Sequence, residues 1–154
     1  VRSFLFDAYH LPLAEALTPS SNAQLAAIAG KAVKEAQYHL KHSSDWLIRF
    51  GDGTEESHRR AQDALDALWT FTGDLFVQDD VHQTLVKAGI APDLNAIKAR
   101  FDATVDWVLA EATLKRPTDG YMMTGGRQGK HSEHLGFLLA EMQYLQRAYP
   151  GAQW

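Results

Sequence analysis

Asp7 and His10 stand three residues apart, and Glu35 and His39 stand four apart. On a helix either spacing puts both side chains on one face. A carboxylate and an imidazole placed so can converge on one point, and iron accepts both ligand types. Di-iron helical bundles use a close pattern: Glu-x-x-His on each of two helices, with one Glu from each of two more. Asp7 and His10 come near that pattern. Glu35 and His39 depart from it, because the residue three after Glu35 is Tyr38, which is no iron ligand at an ordinary ferritin-like site. Three readings stay open on the residues alone: a metal pocket, a buried hydrogen-bonded network, or one of these residues simply exposed. Inside a bundle such groups are costly unless paired or metal-bound, and pairing is the commoner solution.

Other groups are less specific. His39 and His42 share a face, but no Glu sits at ligand spacing before His42. His131, Glu133 and His134 cluster without forming His-Glu-x-x-His. Their place suits the start of a helix with Ser132 as its cap. Gly125-Gly126-Arg127-Gln128-Gly129-Lys130 is the segment best suited to face a phosphate, with Arg127 and Lys130 as its cations. Glycines let backbone N–H groups approach an anion. The segment lacks the spacing of a P-loop, so from spacing alone an ordinary flexible loop fits it better. No Ser/His/Asp triad can be read from the chain.

The elements that would position these residues are helices. Residues 2–17 place Phe6, Tyr9, Leu13 and Ala16 at one-face spacing, and Thr18-Pro19-Ser20 ends the run. Ser21 with Gln24 reads as a capping box, and the helix behind it reaches Phe50. Gly51 is expected to take the left-handed position after that helix. One stripe of this helix carries Ile28, Ala32, Glu35, His39, Ser43, Trp46 and Phe50 in steps of three and four, which predicts an inner face with Glu35 and His39 at its middle. Thr54 opens a third helix, with Glu55 and Glu56 favourable in its first turn. It runs to about Thr72, or on to Phe76. Asp80 caps a short helix that stops before Gly89. Pro92 lies near the start of another that reaches about Leu114. Residues 117–131 form the one long loop. A last helix runs from His131 or Ser132 to about Arg147. No segment alternates like a strand, and no linker divides the chain, which is read as one domain over residues 1–154.

Composition narrows the classes. The 154 residues are 45% hydrophobic and 22% charged, with a formal net charge of −4. That is ordinary for a globular domain and gives no basic footprint for nucleic acid. There is no cysteine, so disulfides, thiolate metal sites and cysteine nucleophiles are excluded. A reducing cytoplasm is the expected location. No apolar run approaches the ~20 residues of a membrane span. Val1-Arg2-Ser3-Phe4-Leu5-Phe6 lacks the order of a signal peptide. A first helix without cap or leader suggests a missing N-terminal part.

Several blocks together resemble a known family. They are Phe6-Asp7-Ala8-Tyr9-His10, Lys34-Glu35-Ala36-Gln37-Tyr38-His39-Leu40, Arg49-Phe50-Gly51-Asp52-Gly53-Thr54, Leu68-Trp69, His131-Ser132-Glu133-His134-Leu135-Gly136, and Leu139-Ala140-Glu141-Met142-Gln143-Tyr144-Leu145-Gln146-Arg147, closed by Pro150-Gly151-Ala152-Gln153-Trp154. In this order they are similar to the C subunits of the bacterial phenylacetyl-CoA ring epoxidase. The likeness covers essentially the whole chain.

The resemblance implies an all-α, ferritin-like helical bundle, here apparently N-terminally truncated. Family members are longer at the N-terminus, and this chain would begin in their third helix. In the family an A subunit of related fold holds the di-iron centre and binds the CoA thioester. A reductase subunit brings electrons from NADPH, and one atom of O2 enters the ring as an epoxide. The C subunit packs against the A subunit without a working iron site. The resemblance therefore implies no catalytic residue and no metal or other cofactor in this chain. Asp7, His10, Glu35 and His39 become candidates for a relic metal pocket, and Arg127 and Lys130 for contact with CoA phosphates. The implied partners are the A subunit and other subunits of the complex. A homo-oligomer becomes an option if a bundle face is left uncovered. The alternative is a ferritin-like di-iron oxidase active in its own right, and an unrelated helical binding module is the third class.

Overall fold

The computed structural model describes residues 1–153, so Trp154 of the closing block lies outside the described residues. Among the described residues seven α-helices follow in chain order: α1 (Arg2–Leu17), α2 (Ala23–Gly51), α3 (Glu55–Trp69), α4 (Asp80–Lys87), α5 (Leu94–Glu111), α6 (His134–Met142) and α7 (Tyr144–Ala148). Short 3-10 turns occupy Gly73–Phe76 and Gly126–Gln128. No strand occurs among the described residues. The chain separates into two compact units, Val1–Met123 and the residues from Thr124 onward.

In the first unit α1 packs chiefly along α2 and also touches α5. Its core joins Phe4, Leu5 and Ala8 of α1 to Leu47 of α2, Leu65 and Trp69 of α3, and Phe101, Val105 and Leu109 of α5. The α1 residues that face inward are not the expected set. Phe6 is 46% exposed while Leu5, Ala8 and the interior Pro12 are buried. Apolar residues surround most of this helix, so periodicity alone could not choose its inner side.

Caps shift by one residue from expectation. Asn22, not Ser21, caps α2, its side chain accepting from Leu25 N–H at 3.0 Å. Ser21 turns instead to the end of α4, donating its hydroxyl to Ala88 C=O at 2.9 Å. Asp79, not Asp80, caps α4 by accepting from His82 N–H at 2.7 Å. Thr54 caps α3 as expected, accepting from Ser57 N–H. Gly51 is the last residue of α2, not a left-handed residue beyond it. It is buried, and its lack of a side chain serves close approach to Ala112.

The segment after α5 is tied back onto the unit. Gln62 brackets Lys115, accepting from its N–H and donating to its C=O, both at 2.9 Å. Arg116 bonds Asp102 and Asp106 at 2.7 and 2.6 Å and lies 4.9 Å from the Trp69 ring centroid. The Trp69 indole N–H donates to Asp119 at 3.0 Å. Met123 N–H donates to Thr70 C=O at 2.8 Å. The long loop is thus held at several points along its first half.

In the second unit Gly125 and Gly129 flank a 3-10 turn with φ of +100° and +82°, a backbone region glycine enters without steric cost. The expected last helix is split. It begins at His134 and breaks at Gln143 before α7 resumes. No residue of α6 or α7 is buried. Phe137, Met142 and Tyr144 stand open.

Candidate functional site

The four candidate residues sit on α1 and α2, the closest-packed helix pair of the first unit. Asp7 is buried, only 7% exposed. It lines a cleft of about 370 Å³ with Arg2, Ser3, Phe6, His39, His42 and Ser43. Neither His10 nor Glu35 lines that cleft. His10 lies flat against Phe6 instead, the ring centroids 5.2 Å apart and the planes at 22°. The structure therefore brings Asp7 and His39 to one hollow and leaves the other two outside it.

Glu35 and His39 are not buried. Their side chains are 75% and 48% exposed, with 3.9 Å between His39 Nε2 and Glu35 Oε1. The face of α2 that packs inward is the neighbouring one, through Ala29, Ala36, Ser44, Leu47 and Gly51. Small residues let α1 approach there. The expected inner stripe is thereby turned outward, leaving Ile28, Trp46 and Phe50 exposed. In this structure the Glu35–His39 pair is a solvated one, and the buried-network reading does not apply to it.

Spacing by fours builds an aromatic ladder on that outer face. Tyr38 stacks on His42 at 5.9 Å, His42 meets Trp46 edge-on at 6.4 Å, and Trp46 lies 5.4 Å from Phe50. Arg49 covers the Trp46 ring at 5.2 Å. Side chains four apart on a helix are neighbours, so the spacing of Tyr38, His42, Trp46 and Phe50 carries the ladder. His42 is a member that the stripe of Glu35 and His39 leaves out. Beside the ladder, Lys41 hydrogen-bonds Asp45 at 2.5 Å and holds that carboxyl below the usual carboxylate range.

A di-iron centre needs several carboxylates and imidazoles around one point. Among the described residues no group of three or more His, Asp or Glu side chains converges in that way. The donors present do not fit such a centre. Arg127 and Lys130 lie in the glycine turn of the second unit, and both are exposed. The Lys130 methylenes fold over Gly125, close enough that a Cβ there would meet them at 2.8 Å. Their turn is built of backbone bonds, Gln128 N–H and Lys130 N–H both donating to Gly125 C=O.

The family model described as phenylacetic acid catabolic protein matches residues 1–154. The chain belongs to that family. It is 47% identical over 153 residues to the C subunit of the 1,2-phenylacetyl-CoA epoxidase of Escherichia coli. The matched span is 99% of this chain and 62% of that relative, so the chain spans less than two thirds of the curated protein it matches. The all-helical, ferritin-like class and the resemblance read from the Tyr38-His39-Leu40 and Met142-Gln143-Tyr144 blocks are both confirmed by the match. No helix among the described residues is long and apolar enough to cross a membrane.

Proposed function

We propose that this chain is the bundle portion of a C-type subunit of a phenylacetyl-CoA epoxidase, acting as a structural partner of the oxygenase and not as its catalytic centre. The observation that carries this reading is the 47% identity to the C subunit of such an epoxidase across 99% of the chain. The arrangement of the four candidate residues supports the non-catalytic half. Asp7 and His39 share a cleft, but His10 is stacked on Phe6 and Glu35 stands in solvent. Tyr38 holds the position where an iron-binding histidine would stand. We assign iron chemistry to an A-type partner and none to this chain, and we place the complex in the cytoplasm.

The partner surface draws on what the chain leaves open. Aromatic and arginine anchors dominate protein contacts, and the ladder from Tyr38 to Phe50 with Arg49 offers both. The apolar side chains of α6 and α7 offer a second such surface. Arg127 and Lys130 are assigned to the CoA phosphates of the substrate held by the partner.

The experiment is size-exclusion chromatography with light scattering, on the chain mixed with a purified A-type partner and at rising salt. A stable mixed complex is expected. Two proteins that elute separately at micromolar concentration would contradict the reading. Arg127→Ala with Lys130→Ala should leave the complex intact and raise KM for the CoA ester. An unchanged KM removes the phosphate assignment.

A further inference from the structure

Aspartate is followed by glycine twice in the chain, at Asp52-Gly53 and at Asp119-Gly120. Such a pair can close on itself. The glycine nitrogen attacks the side-chain carboxyl carbon, and the amide hydrogen leaves with the carboxyl hydroxyl as water. The product is a five-membered succinimide. Water then adds back at either carbonyl. Addition on the main-chain side leaves isoaspartate, in which the chain runs through the former side-chain carbon. No oxidant, reductant or enzyme enters. Glycine favours the step because it carries no Cβ to crowd the attacking nitrogen. Both pairs are exposed, so exposure does not choose between them.

The backbone does choose. Ring closure must turn the peptide between the two residues until its nitrogen faces the carboxyl carbon. Asp52 caps the end of α2, its N–H still bonded to Ile48 C=O at 2.8 Å. Gly53 is wedged beside it, where a Cβ would lie 2.7 Å from both the Arg49 carbonyl oxygen and the Ser57 hydroxyl. Thr54 then caps α3. Turning the Asp52-Gly53 peptide would pull apart the end of one helix and the start of the next. Asp119 lies in no helix, and a Cβ on Gly120 would meet nothing within 4 Å. Among the described residues two hydrogen bonds hold this pair. Gly120 N–H donates to Thr118 C=O at 2.8 Å, and the Trp69 indole N–H donates to the Asp119 carboxylate at 3.0 Å. Each such bond, taken alone, holds its partner by a factor of roughly ten or less.

We propose that Asp119 is a site of spontaneous isomerisation to isoaspartate, and that the Trp69 indole is the group that restrains it. By binding the carboxylate, Trp69 opposes the rotation that ring closure needs. Conversion removes the acceptor. The main chain lengthens by one carbon, and the free carboxylate moves onto the α-carbon. The Trp69 indole N–H, on a side chain only 3% exposed, is then left unpaired, which is destabilising for a buried donor. The segment between Arg116 and Tyr121 is tied at one end to Asp102 of α5 and at the other to Thr70 at the end of α3. It loses the anchor between them. This concerns the chain itself and does not rest on the scaffold role.

The test is peptide mapping of the purified chain, fresh and after weeks in warm neutral buffer. Trypsin leaves Asp52 in peptide 50–59 and Asp119 in peptide 116–127, because Pro117 blocks cleavage after Arg116. Electron-transfer fragmentation tells isoaspartate from aspartate in each. Isoaspartate should accumulate several-fold faster at Asp119 than at Asp52. Trp69→Phe keeps an aromatic ring and removes the donor. It should raise the rate at Asp119 by about threefold or more and leave Asp52 unchanged. Gly120→Ala should lower the rate at Asp119 below that of wild type. Where Trp69→Phe does not fold, the wild-type chain in urea takes its place, and conversion at Asp119 should there be about threefold faster or more than in the folded protein. An equal or slower rate in urea overturns the proposal. So does conversion at Asp52 that matches or exceeds Asp119 in the folded chain, or no isoaspartate at Asp119 after incubation. A folded Trp69→Phe variant that leaves the rate at Asp119 unchanged, or raises both sites alike, overturns it too.

Discussion

A Cβ placed on Gly51 would lie 2.1 Å from the carbonyl oxygen of Ala112 and 2.8 Å from its Cβ. The ends of α2 and α5 therefore touch backbone to backbone. The Gly51 carbonyl is satisfied at the same spot, accepting from His58 Nδ1 at 2.8 Å and from the Thr113 hydroxyl at 3.3 Å. Thr113 holds a φ of +57° to reach it, a conformation β-branched residues rarely adopt. The junction fixes how the two longest helices of the first unit meet.

Gly51→Ala should destabilise the protein by about 3 kcal/mol, since both nearest atoms belong to a neighbouring backbone and first side-chain carbon that cannot swing away. Urea denaturation at neutral pH reads this directly. A loss below about 1 kcal/mol would mean the junction is softer than its geometry.

Arg116→Ala removes two ion pairs and the stacking on Trp69, and should cost about 1–2 kcal/mol. The pH dependence follows from Asp102. Burial pushes its carboxyl up, but hydrogen bonds from Lys98 and Arg116 outweigh that and hold it below its ordinary value of 3.8. A depressed folded value contributes stability above the unfolded pKa and loses it as pH falls through the folded one. Wild type should therefore lose more stability between about pH 6 and pH 2 than Arg116→Ala does. Parallel thermal melts across that window check it, and two superimposable profiles would remove Arg116 from the cause.

Glu35→Gln and His39→Gln should each change stability by less than about 0.5 kcal/mol, because an exposed pair of this kind is worth little. Chemical denaturation of the chain measures it. A loss above about 2 kcal/mol for either would restore the buried-network reading of this pair.

Much of the fold is legible in the sequence because helix signals are local. Thr54 with Glu55 and Glu56 marks α3, Gly89 marks the end of α4, and the span of α1 matches to the residue. Caps such as Asn22 and Asp79 fall one position from expectation because Ser21-Asn22 and Asp79-Asp80 offer two competent side chains in a row. Which one bonds is decided by tertiary contacts, here Ser21 with Ala88. The site is less legible. Glu35, His39, Trp46 and Phe50 do share one stripe of α2, but spacing cannot say whether a stripe faces in or out. That choice falls to the small residues Ala29, Ala36 and Gly51, which admit a neighbouring helix more closely. Asp7 gives no sign in the sequence that it is buried while His10, on the same face, lies against Phe6.

The most direct measurement is the iron content of the purified chain after expression in iron-rich medium, by elemental mass spectrometry. A structural subunit should carry far less than one iron per chain, and Asp7→Asn and His39→Gln should leave that value unchanged. One or two iron atoms per chain, lost in either variant, would contradict the non-catalytic role.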